Sequence, residues 1–109
     1  MINEEIKTYL ENSVLCWLAT VDENNFPNVS PKEMFSYREP DIILIAHIAS
    51  PQSVNNILNN PRVCVSLIDI FRQKGCKLKG HAKIISPEEQ DFEEKKSILT
   101  KKFTDRFPI

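Results

Sequence analysis

The chain has 109 residues, 41% hydrophobic and 27% charged, with a formal net charge of −1 and a pI near 6.1. That length fits a single domain over 1–109, and the balanced charge provides no global basic field for nucleic acid. No apolar run approaches the roughly 20 residues of a membrane span, and Glu4 and Glu5 stand where a signal peptide carries positive charge. A cytoplasmic chain with no nucleic-acid or membrane partner is therefore expected.

In chain order, Asn3 to Asn12 predicts a short helix, with Asn3 as cap, Glu4 and Glu5 in the first turn, and Ile6, Tyr9 and Leu10 on one face. Val14 to Val21 (VLCWLATV) is a short apolar run bounded by turn residues and predicts a buried strand. The cluster Asp22-Glu23-Asn24-Asn25 is a turn. A second strand is expected from about Asn28 to Tyr37, interrupted or bulged at Pro31, because proline cannot donate to a central ladder. The two strands then form a hairpin. Glu39-Pro40-Asp41 turns into a third strand, Ile42 to Ile48.

A helix follows from Pro51 to about Asn59, ended by Asn59-Asn60-Pro61. Val63 to Ile70 is a fourth strand. Lys77 to Ile85 alternates as a fifth, with Leu78, Gly80, Ala82 and Ile84 on one face and Lys77, Lys79, His81 and Lys83 on the other. A last helix is expected from Pro87 to about Lys102. The ending Phe107-Pro108-Ile109 reads as the lead-in to another strand, so the last strand is expected to be truncated. Five strands joined by short turns predict a mainly β fold, a small antiparallel barrel with flanking helices.

Two helix starts read almost alike, Ser50-Pro51-Gln52-Ser53 and Ser86-Pro87-Glu88-Glu89. Each places Ser at the N-cap and Pro at the first helical position. The second fills its first turn with carboxylates, Glu89 being placed to close a capping box on Ser86. The first has no acid from Ser50 to Arg62. Its free N–H groups and positive dipole end suit a phosphate, so a phosphate-bearing small ligand is expected near Ser50 and Ser53; a helix start facing water is the alternative.

Catalytic groups are scarce. The serines lack a nearby base in a recognisable elbow, and His47 at a strand end reads first as packed or hydrogen-bonded. Cys16, Cys64 and Cys76 are widely spaced and read as reduced core residues, with no metal site expected. Any redox chemistry therefore needs a cofactor. There is no GxGxxG or P-loop and only two glycines, Gly75 and Gly80, occur, which weighs against a Rossmann site. Lys32, two residues past Ser30, is the natural cation for a phosphate, its alternative being an exposed strand lysine.

The ordered set Leu18-Ala19-Thr20, Asp22, Pro27, Val29-Ser30-Pro31-Lys32, Asn56, Asn60-Pro61-Arg62-Val63 and Lys79-Gly80-His81-Ala82 resembles the FMN-binding split barrels related to pyridoxamine phosphate oxidase. The match runs from about Val14 to Ile85. The resemblance implies a six-stranded split β-barrel of Greek-key type and a homodimer with FMN at the interface. By position, Ser30, Pro31 and Lys32 with Ser50, Gln52 and Ser53 would hold the phosphate and ribityl chain. Ala46, His47, Ile48 and Ala49 would border the isoalloxazine. Asn56 matches a helix Asn of the family, mainly structural with a ligand role beside it.

Many relatives carry Lys or Arg where this chain has Gln52, so the phosphate charge would rest on Lys32 and the helix dipole. The function implied is an FMN-dependent oxidoreductase of a small molecule, from the general flavoprotein branch rather than the true vitamin B6 oxidases. The alternatives are a non-catalytic flavin carrier or sensor and a haem-binding split barrel.

Overall fold

A computed structural model of the chain describes residues 2–46 and 51–106. Its elements run α1 (Glu4–Asn12), β1 (Cys16–Val21), β2 (Pro27–Lys32), β3 (Phe35–Arg38), β4 (Ile42–Ile45), α2 (Pro51–Asn59), β5 (Arg62–Asp69), β6 (Lys74–His81) and α3 (Phe92–Arg106). The strands form an antiparallel four-stranded sheet in the order β2-β1-β5-β6 and a β3-β4 ribbon. This is a mainly β split barrel with helices outside.

Local signals account for the ends of several elements. The Asn3 side chain accepts from the Ile6 N–H at 2.9 Å and caps α1. The Asp22 carboxylate accepts from the N–H groups of Asn24 and Phe26 and shapes the β1–β2 turn. The core gathers Leu10, Cys16, Leu18, Phe35, Ile57, Val65 and Leu67 between the sheet, the ribbon and the helices. Lys102 of α3 donates to the Leu10 carbonyl at 2.8 Å and lies 4.1 Å above the Phe35 ring, which ties α3 to α1 and β3.

Four expectations are corrected. The strand expected over 28–37 is two strands, and the break falls after Lys32 rather than at Pro31. Pro31 pairs in register with Trp17 and is tolerated because β2 is a sheet edge. The expected burial of β1 holds on one side only: Cys16, Leu18 and Thr20 face the core while Trp17 is 43% exposed.

β6 begins three residues earlier than expected, at Lys74. The Asp69↔Lys74 pair closes a short loop whose Gln73 has φ 57°. The last helix begins at Phe92 instead of Pro87. Glu89 pairs with Lys83 at 3.4 Å and its N–H donates to the Ser86 carbonyl at 3.0 Å, a turn rather than the first turn of a helix, so the Glu89 side chain of the expected capping box is engaged elsewhere. The segment Phe107-Pro108-Ile109 lies outside the described residues.

Candidate functional site

The fold brings β1, β2 and α2 together at one place. Residues 28, 30 and 32 alternate onto the inner face of β2, and α2 packs over β1. Ser30 of β2 and Ser53 of α2 share a hydroxyl–hydroxyl hydrogen bond of 3.2 Å. One turn on, the Asn56 carboxamide donates from Nδ2 to the Thr20 hydroxyl at 2.9 Å and accepts at Oδ1 from Gln52 Nε2 at 2.8 Å. Ser53 and Asn56 are each 2% exposed and Thr20 1%. Buried polar atoms need partners, and these residues supply one another's. The helix start is thereby bolted to the sheet by side chains rather than by apolar packing alone.

Of the residues expected at the site, Ser30, Gln52, Ser53 and Asn56 meet. Pro31 does not join them: it points outward on the exposed face of β2, beside Trp17. Lys32 is an inward lysine, 4% exposed, opposite Cys16 in the β1–β2 register, which corrects the alternative of an exposed strand lysine. Desolvation pushes its ammonium pKa down and the field of the Cys16 sulfur raises it. Ala46 is half-buried and its N–H donates to the Met34 carbonyl at 3.0 Å, extending the β3–β4 ribbon by a step. His47, Ile48, Ala49 and Ser50 lie outside the described residues.

Thr20 is the residue that sequence reasoning missed. Its signal was present: it is the polar member of the alternating set Cys16, Leu18, Thr20, and a polar group on a core face demands a partner.

The donor set fits a phosphate monoester through neutral donors. A pair of hydroxyls sharing one hydrogen bond retains one O–H to give. The Gln52 side chain is exposed, and the first turn of α2 carries no acid to repel an anion. An open cleft of about 580 Å³ lies elsewhere, walled by Asp22, Glu23, Arg62 and His81. A second, of similar volume, is lined by Glu89, Asp91 and Glu94. Those acids already pair with Lys83, Lys95 and Arg38.

A split barrel with a hydroxyl-bearing, acid-free helix start on its edge strand belongs to a recognised class of fold, and the comparisons with known proteins narrow it. The family model described as pyridoxamine 5'-phosphate oxidase matches residues 2–107, and the chain belongs to that family. No curated protein sequence matches the chain.

Among solved structures, HupZ of Group A Streptococcus is 25% identical, with a TM-score of 0.78 over 98% of this chain and 80% of that one. An FMN-binding protein from Syntrophomonas wolfei shares the fold at 18% identity, with a TM-score of 0.72 over 94% of this chain and 72% of that one. The haem storage protein HutZ from Vibrio cholerae shares it at 24% identity, with a TM-score of 0.67 over 97% and 75%.

Proposed function

We propose that this chain is an FMN-binding flavoprotein that works as a homodimer and passes hydride or electrons between a reduced donor and a small acceptor. The observation that carries the proposal is the acid-free start of α2 with the Ser30–Ser53 hydroxyl pair against it, in a chain of this family. Bound there, the flavin would supply the redox chemistry.

The chain's own residues bind and orient. The O–H left free by the Ser30–Ser53 pair and the Gln52 carboxamide donate to the phosphate, aided by the helix dipole. Ala46 and the segment His47, Ile48 and Ala49 border the ring. Asn56 is a positioning residue, acting through Thr20 and Gln52 rather than on the ligand. Lys32 contributes the positive charge of the site.

The test is titration of FMN and of riboflavin, its phosphate-free counterpart, followed by flavin fluorescence. FMN is expected to bind and riboflavin to bind at least about tenfold more weakly, the size of one charge-assisted hydrogen bond. Gln52→Lys is expected to tighten FMN by about tenfold and to leave riboflavin unchanged. Equal binding of both flavins, or of neither, refutes the phosphate site. Bleaching of bound FMN by NAD(P)H separates an oxidoreductase from a carrier or sensor.

A second reading, haem binding, draws on one feature: His81 is exposed on the outer sheet face, opposite Arg62 in register. A Soret band that shifts with His81→Ala would favour it.

A further inference from the structure

The charge of this nearly neutral chain is unevenly placed. Residues 62–83, the β5–β6 hairpin with two residues beyond it, hold six Lys and Arg against one acid, Asp69. That acid is 4% exposed and turned inward, accepting from the Arg72 N–H at 3.4 Å and from Asn12 at 3.5 Å. Arg72 folds back toward it at 3.8 Å. Lys74, Lys77 and Lys79 are exposed and have no ion pair among the described residues.

At the tip of the same hairpin stand three exposed apolar side chains: Phe71 at 91%, Ile70 at 58% and Ile68 at 47%. Ile68 lies opposite Gly75, which must lack a side chain because a Cβ there would run into the Leu67 carbonyl oxygen. The register therefore leaves Ile68 uncovered and lengthens the apolar tip.

We propose that this tip is an interfacial anchor that sets the protein down on an anionic lipid surface. Phe71, Ile70 and Ile68 would enter the boundary between headgroups and acyl chains. Lys74 and Lys77 would lie at the level of the negative headgroups. Phe71 is 91% exposed, and a rigid partner groove is best filled by a side chain already held in place. A fluid interface makes no such demand, and anionic lipid matches both the apolar point and the exposed lysines Lys74 and Lys77 beside it. Peripheral docking needs no membrane span, so the expectation of no membrane partner, which rested on the missing span, does not bear on it.

The measurement is co-sedimentation of the flavin-free protein with vesicles of phosphatidylcholine alone and with about one third phosphatidylglycerol, so that its outcome is separate from that of the flavin reading. Binding is expected only to the anionic vesicles, weakening as salt rises from about 0.05 to about 0.5 M. Phe71→Ser, and separately Lys74→Glu with Lys77→Glu, are expected to weaken it by about tenfold or more. All three sites are exposed, so unchanged thermal midpoints report intact folding. No binding to either vesicle, equal binding to both, or binding indifferent to these substitutions overturns the proposal. So does a solution mass that falls from two chains to one with Phe71→Ser, since the tip would then be a contact between subunits.

Discussion

Replacing Asn56 with Ala tests whether a side-chain network, rather than apolar packing, holds α2 on the sheet. The substitution removes two hydrogen bonds at once, to Thr20 at 2.9 Å and from Gln52 at 2.8 Å. Their consequences differ. Gln52 is exposed and turns to water, so its loss costs at most about 1 kcal/mol. Thr20 is 1% exposed, and its hydroxyl is left buried without a partner, which costs about 1–3 kcal/mol. The vacated carboxamide volume adds a small cavity cost, bringing the total to about 2–4 kcal/mol.

For a domain of this size that is a fall in Tm of about 10 °C or more. The assay is urea and thermal unfolding followed by circular dichroism at one fixed protein concentration, so that any self-association is held constant. Gln52→Ala is expected to cost less than about 1 kcal/mol. Thr20→Val added to Asn56→Ala is expected to recover about 1 kcal/mol by removing the orphaned hydroxyl. A loss below about 0.5 kcal/mol for Asn56→Ala, or one matched by Gln52→Ala, would refute the reasoning.

The two glycines should behave oppositely. Gly75→Ala forces a Cβ into the Leu67 carbonyl oxygen and is expected to destabilise by more than about 2 kcal/mol in the same unfolding assay. Gly80→Ala meets nothing within 4 Å and is expected to stay within about 0.5 kcal/mol.

Burial pushes the Cys16 thiol up to about 11. A raised pKa contributes stability that is complete below the unfolded value and lost as pH climbs through the folded one, so its share should fade between about pH 9 and 11. Lys32, pushed down by desolvation, acts in the opposite sense: its penalty on folding eases as pH rises. The Cys16 share is therefore read as wild type minus Cys16→Ala across pH 8–11, and identical slopes in the two proteins would contradict it.

Much of the fold was legible in local chemistry. The Asn3 cap, the Asp22 turn, the Pro51 start of α2 with its Asn59-Asn60-Pro61 stop, and the alternation from Lys77 to His81 each appear where side chains next to one another dictate them. The family was legible too, because an ordered set of short motifs survives even where each motif alone is weak.

Ser30, Ser53 and Asn56 were legible as candidates, but their mutual arrangement was not. Thr20 pairs with a residue 36 positions away, and no local pattern encodes that distance. Pro31 was read as a break because a central ladder needs its missing N–H; only the strand order, which puts β2 on the edge, makes the ladder tolerate it. Lys32 was read as the cation for a phosphate or else as an exposed strand lysine, and only the β1–β2 register, which turns it inward against Cys16, removes the exposed alternative.

The sequence by itself thus determined most of the elements, their order and the acid-free helix start, since these depend on neighbours along the chain. The tertiary structure alone decided which strand face meets the core, which polar groups satisfy one another and which apolar tip remains uncovered. Those outcomes depend on residues far apart in sequence competing for one interior, where every buried polar group must find a partner.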